Sequence, residues 1–238
     1  MRFIIDVVLL VLIAVCTWNG YKKGLVGSIA TMIAIIIAIL GGGLLSSAYA
    51  HEVVPALEPF VNGYIDSQTN RDAVLEKLGY GDSDLSLEDV LAQDSSLRYD
   101  YAYESLLATG LYSDRAEEMA EMSVDYAEEN NVSMTKAVIN VLCDKVTYAA
   151  GLTIAFLLIL ILLSAMGNII NLSFRLPNME TVDEIGGAVL GFITGFLFCI
   201  LIAWVMSFMG LIIGRETLAH TTLARFFLAF RFITSGLM

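Results

Sequence analysis

Four stretches of the chain are almost continuously apolar: Phe3 to Trp18, Leu25 to Leu45, Ala149 to Leu172 and Ile185 to Ile213. A helix needs about 20 apolar residues to cross a ~30 Å hydrocarbon core, because lipid offers no partner to an unpaired backbone group. The second stretch holds no charge, the first is short and contains Asp6, and the fourth exceeds the length of one span, which predicts tilt or a protruding end. The pattern predicts an all-α polytopic membrane protein with about four transmembrane helices. They form one hairpin within residues 1–45 (spans 3–18 and 25–45) and a second within 149–213 (spans 149–172 and 185–213).

Between the hairpins, residues 46–148 change character. Short amphipathic runs follow one another: Val74, Leu75 and Leu78; Leu87, Val90 and Leu91; Tyr99, Tyr103, Leu106 and Leu107. Ser113 is placed to cap a helix opening Asp114-Arg115-Ala116-Glu117-Glu118, with Met119, Met122 and Tyr126 at near-helical intervals. Ser133 is placed to cap another through Met134, Val138, Val141 and Leu142 that continues into the third span. Pro55 and Pro59 mark the exit from the second span. No alternating strand pattern competes, so the insert is expected to be helical, packed on itself or lying on the membrane surface.

Composition agrees with this division. The 238 residues are 57% hydrophobic and 16% charged, against roughly half apolar and a quarter charged for a soluble domain. The formal net charge is −12. Ser46 to Tyr148 hold six basic and twenty acidic residues, a balance of −14, whereas the other 135 hold seven and five and are slightly basic. An acidic chain repels phosphate, which argues against nucleic acid as a partner.

The connection Asn19-Gly20-Tyr21-Lys22-Lys23-Gly24 is too short for anything but a tight hairpin, and Lys22 and Lys23 direct it to the cytoplasm, beside Trp18 and Tyr21 as interfacial anchors. The amino terminus and the acidic insert then face outward. Residues 214–238 carry Arg215, Arg225 and Arg231, and Leu223, Phe226, Phe227, Phe230 and Ile233 at helical spacing. This tail is expected to lie along the interface as an amphipathic helix, with a fifth span as the alternative. The first span resembles a signal peptide after Arg2, but no cleavage triplet follows promptly. Ala48-Tyr49-Ala50 follows only after a second long span.

No catalytic, cofactor or metal constellation emerges. His51 and His220 lack a second ligand one turn away, Cys16 and Cys199 lie inside spans, and Cys143 is alone in the insert. Gly79-Tyr80-Gly81-Asp82 and Tyr99-Asp100 resemble intramembrane aspartyl protease strings, yet both fall in the hydrophilic insert and not where two carboxylates would meet in the membrane. Asp82, Asp84 and Ser86 begin like a calcium loop, but Leu87 replaces its glycine and Gln93 its closing glutamate. Asp6 is the one ionisable residue inside an apolar run and so the candidate functional intramembrane acid, unless it pairs with Arg2 one turn back. Ala30, Ala34, Ala38 and Gly42 form a small-residue stripe on the second span, and Gly187, Gly191 and Gly195 another on the fourth. These two spans are expected to pack together, or to pair across a homo-oligomer.

The opening Ile5-Asp6-Val7-Val8-Leu9-Leu10, followed by Gly20-Tyr21-Lys22-Lys23-Gly24-Leu25-Val26, resembles the start of the colicin V production protein (CvpA) family of small bacterial membrane proteins. Leu176-Pro177 and the run Val182-Asp183-Glu184-Ile185-Gly186-Gly187 through Gly191 to Gly195 are similar to that family's last span. The resemblance covers residues 3–45 and 150–215 and leaves out the insert. Glu184 and Thr194 stand where family members often carry arginines. What the resemblance implies is a cell-membrane protein with a non-enzymatic accessory role in toxin production or export, or in envelope homeostasis, with the lipid bilayer and a protein partner or second copy as its contacts. It brings no cofactor. The residues leave a small oligomeric channel or carrier as the alternative.

Overall fold

A computed structural model describes residues 2–68, 76, 79, 87–170, 180–208 and 221–229, and all structural statements concern these. The expected run through Val74, Leu75 and Leu78, the segment Tyr80 to Ser86, His220, Arg215, Arg231, and the tail positions Phe230 and Ile233 lie outside them. The described elements are all helical: α1 (Arg2–Gln68), α2 (Leu87–Gln93), α3 (Leu97–Ala108), α4 (Ser113–Asn130), α5 (Met134–Ile170), α6 (Glu180–Phe208) and α7 (Thr222–Leu228). Three of them, over Ile4–Gly63, Met134–Met166 and Glu180–Phe208, contain stretches long and apolar enough to cross a membrane.

The first of these is broken by Gly24, whose φ of 75° and ψ of 179° no helix contains. The Ser28 hydroxyl donates to the Gly20 carbonyl at 3.1 Å. Eight residues of straight helix would hold these two positions about 12 Å apart along the axis, so the chain doubles back at Gly24. We therefore describe α1 as a first limb (2–23) and a second limb (25–68). The second limb runs on past Pro55 and Pro59, both of which lie inside it. The two prolines are exposed, as is His51, and a proline offers no amide to the carbonyl one turn before it.

The described residues form two compact units, one within Met1–Ala48, Ala150–Met206 and Glu216–Met238, the other within Tyr49–Ala149 and Ser207–Arg215. In the first unit the helices meet in a closed sequence of contacts. The first limb lies on α6, where Cys199 Sγ approaches the Leu9 carbonyl at 3.6 Å. Next, α6 lies on α5, with the Phe156 and Phe198 rings edge to face at 5.7 Å. The second limb then lies on α5, with Gly42 against the backbone of Leu152 and Phe156. Outward from these seams, large apolar side chains such as Leu10, Leu44, Ile161, Leu162 and Phe192 are half or more exposed. That much exposed apolar surface along several helices suits lipid rather than water.

The second unit has a helical core of its own. Val90, Leu91, Tyr101, Ala102, Leu106, Met119, Ala120, Val138 and Leu142 are buried together. Asp94 starts α3 by accepting from both the amide and the hydroxyl of Ser96, at 2.9 and 2.6 Å. These hydrogen bonds, the hydroxyl's foremost, hold its carboxyl below the usual carboxylate range. Asn131 ends α4 in the left-handed region at φ 53°. Helix α5 starts after Ser133, whose hydroxyl accepts weakly from the Lys136 amide at 3.5 Å.

Two sequence expectations need correction in this unit. Ser113 is the first helical residue of α4, with Tyr112 at the cap position, and its hydroxyl turns to the Asp114 carboxylate instead. On α3 the inward face is Tyr101, Ala102, Ser105 and Leu106, while Tyr99 and Tyr103 are half-buried and stack on each other with ring centres 6.2 Å apart. On α4, Arg115 is buried: its guanidinium pairs with Glu118, donates to Ser207 at 3.3 Å, and lies over the Phe208 ring.

The assignment of the α3 face is testable. Ala102→Leu should destabilise this unit by about 1–3 kcal/mol through overpacking, while Tyr99→Leu should cost less than about 1 kcal/mol. Denaturant titration of the full chain in detergent, followed by circular dichroism, distinguishes them; equal effects would restore the tyrosine face as the core.

Candidate functional site

The two sequence segments that looked most distinctive, Gly20-Tyr21-Lys22-Lys23-Gly24 and Asp183 through Gly195, are brought together. At the bend, the Leu25 amide is one of the orphan donors that begin the second limb, and it donates to Asp183 Oδ1 at 2.8 Å. Asp183 is 3% exposed and stands in the first turn of α6. Its carboxylate therefore sits at two helix N-termini, that of its own helix and that of the second limb, where both macrodipoles favour negative charge. Beside it the Tyr21 hydroxyl donates to Glu184 Oε2 at 2.8 Å. At the exposed rim, Lys22 Nζ lies 5.3 Å from the Trp18 ring, and Trp18 stacks on Tyr21.

Glycine makes this approach possible. A Cβ on Gly24 would strike the Asp183 carboxylate, one on Gly186 the Leu25 side chain, and one on Gly187 the Gly20 carbonyl. Further along, a Cβ on Gly191 would lie 2.5 Å from the Cys16 carbonyl oxygen, and one on Gly195 3.0 Å from the Ile13 Cα. The stripe Gly187, Gly191 and Gly195 is thus a backbone-to-backbone seam with the first limb. The α6 stripe faces the first limb, while the second limb meets α6 beside the bend, at Leu25. Gly42 and Ala38 of the other stripe are buried, with Gly42 against α5, while Ala30 and Ala34 are half-buried. Sequence reading missed this because Gly20, the complement to the α6 glycines, stands alone on the first limb and makes no stripe.

Asp6 has a partner in the tail, while the Arg2 side chain of the alternative pairing lies outside the described ones. Its Oδ1 accepts from the Leu223 amide at 3.0 Å, at the N-terminus of α7. The described part of the tail is held there and by Phe227, 2% exposed, whose ring meets Phe196 of α6 at 5.1 Å. The carboxylate is thereby engaged by a backbone donor. Nothing in the sequence pairs residue 6 with residue 223.

Outside this region, His51 Nδ1 lies 3.2 Å from Asp144 Oδ1, an ion pair when His51 is protonated. With the histidine neutral in its other tautomer, that oxygen has no donor among the described residues. The pair lines a cavity of about 330 Å³ with Met122, Asp125, Tyr126 and Glu129. No group of three His, Cys, Asp or Glu among the described residues is arranged to hold a metal ion. Cys16, Cys143 and Cys199 are free thiols.

The fold and this site define an all-helical protein with membrane-length helices, fastened by carboxylates at helix starts and a glycine seam. The family described as Colicin V production protein matches residues 105–231, just over half of the chain, and the chain belongs to that family. The matched region takes in the Asp183 to Gly195 segment and also residues 105–148 of the insert, which the resemblance had left out; it does not reach the Gly20 to Gly24 bend. No curated protein and no solved structure matches the chain.

Two outcomes follow from the geometry. Gly191→Ala places a methyl group against backbone that cannot yield, and should destabilise the protein by about 1–3 kcal/mol in a detergent melt, whereas Gly63→Ala, which meets nothing, should have little effect. Asp6→Ala should release the tail and speed its removal by protease, with Asp6→Asn, which keeps an acceptor oxygen, closer to wild type. Equal cleavage of all three proteins would refute the cap.

Proposed function

We propose that this is a four-span protein of the bacterial cell membrane, with the Lys22-Lys23 hairpin on the cytoplasmic side and the acidic helical segment outside. It acts without catalysing a reaction, as an accessory factor in toxin production or export, or in envelope homeostasis. The observation that carries this reading is membership of the colicin V production protein family, with a match running from α3 into the carboxyl-terminal residues. The bend at Gly24 supports counting α1 as two spans, and the exposed apolar faces support lipid as their surroundings. The segment with a balance of −14 is the part offered to a protein partner, since net charge favours oppositely charged surfaces.

Deleting the gene in a toxin-producing host is expected to lower exported toxin or raise sensitivity to detergent, with both restored by the intact gene. Wild-type export and wild-type detergent resistance in the deletion strain would refute the role.

A further inference from the structure

The hairpin encloses a cavity that the caps and the seam do not use. It measures about 160 Å³ and its wall includes Cys16, Asn19, Lys23, Ser28, Thr31 and Thr194. A cavity with this many polar groups is unusual between helices otherwise joined through glycine and apolar side chains, and polar cavities hold polar occupants.

The hydrogen bonding sorts these groups. Ser28 spends its proton on the Gly20 carbonyl, and Thr31 spends its own on the Gly27 carbonyl at 2.9 Å. Lys23 Nζ donates one proton to Thr31 Oγ1 at 3.2 Å and, among the described residues, meets no carboxylate. Thr194 is 5% exposed and its hydroxyl has no partner among the described residues. A helical threonine normally bonds its own preceding turn, as Thr17 does to the Ile13 carbonyl at 2.8 Å; Thr194 does not. What lines the cavity uncommitted is therefore the rest of the Lys23 ammonium, the Asn19 amide and the Thr194 side chain. The acids of the bend do not line it, Asp183 being given to Leu25 and Glu184 to Tyr21. A buried hydroxyl without a partner is costly, and an ammonium beside it selects an acceptor with negative charge.

We propose that this cavity binds a phosphate group, carried either by an anionic phospholipid headgroup or by free phosphate, through Lys23, Asn19 and Thr194. The Lys23 ammonium supplies the charge, as lysines at a membrane surface do for anionic lipid. Thr194 and Asn19 supply directed donors, and the volume suits one phosphate group rather than a larger solute.

The test uses the full chain in an uncharged detergent and native mass spectrometry. Phosphatidylglycerol is titrated in, with diacylglycerol as the lipid lacking phosphate and inorganic phosphate as competitor. One saturable phosphatidylglycerol per chain is expected, with diacylglycerol not retained. Lys23→Gln and Thr194→Val should each weaken binding, the former by about tenfold or more because it removes the charge. Lys23→Arg should retain it. Displacement of the lipid by millimolar phosphate assigns the site to the free anion, and indifference to phosphate assigns it to the headgroup. Thr194→Val changes no volume and serves if Lys23→Gln melts early. Equal retention of both lipids, or wild-type affinity in Thr194→Val and Lys23→Gln alike, would overturn the site, and would leave the proposed role in the envelope untouched.

Discussion

The membrane-length part of this protein depends on one carboxylate. A helical hairpin leaves orphan amides where its second arm begins, and where the bend packs against a neighbouring helix the acceptor has to come from the protein. Asp183 meets that need from another helix, bonding the Leu25 amide at 2.8 Å while standing in the first turn of α6. A buried charge is ordinarily a liability. Here two helix dipoles point their positive ends at it, so the charge and the two helix starts stabilise one another. The position is then fixed on both sides. Asp183 must sit within hydrogen-bond reach of the bend, and a Cβ on either Gly24 or Gly187 would prevent it.

Asp6 repeats the device at the opposite end of the first limb. It accepts from the Leu223 amide, so the start of α7 is completed by a distant acid in the same manner. Three of the five acids outside the insert thus have structural partners: Asp6 and Asp183 finish helices, and Glu184 anchors the Tyr21 hydroxyl. An acid in a hydrophobic run reads as a candidate for transport because charge is expensive there. Closing a helix end is a second way to justify that expense, and it leaves the same trace in the sequence.

What the sequence disclosed follows from the range of its signals. Hydrophobic runs and helical spacing are local, so the apolar stretches, the continuous run from Met134 and the helices of the insert could be read directly. The glycine stripe on α6 was also visible, but not its partner. A stripe says that a backbone comes close and not which one, and Gly20 made no repeat that could be matched to it. The inward face of α3 shares Leu106 with the expected run, but Tyr101, Ala102 and Ser105 complete it in place of Tyr99 and Tyr103. Ala102, fully buried, carries no periodic signal, and Tyr99 and Tyr103 satisfy each other by stacking. Arg115 was unreadable for a similar reason, since its burial rests on Phe208 and Ser207, more than ninety positions away.

The family match sharpens the meaning of the insert. Residues 105–148 fall inside it, so the later part of the acidic segment belongs to the family's own body, while residues 46–104 lie outside the matched region. The described helices on either side of that boundary are packed as one: α3 begins at Leu97 and places Tyr101 and Leu106 in the same core as Met119 and Val138. The Tyr101 hydroxyl also reaches Thr135 Oγ1, at 3.2 Å. A chain that varied freely before residue 105 would still have to supply a side chain to fill the Tyr101 position, because a void there would strip contacts from α4 and α5. The unmatched residues just before the boundary are therefore constrained by packing, and freedom to diverge is greatest on the surfaces of α2 and α3 that face away from that core.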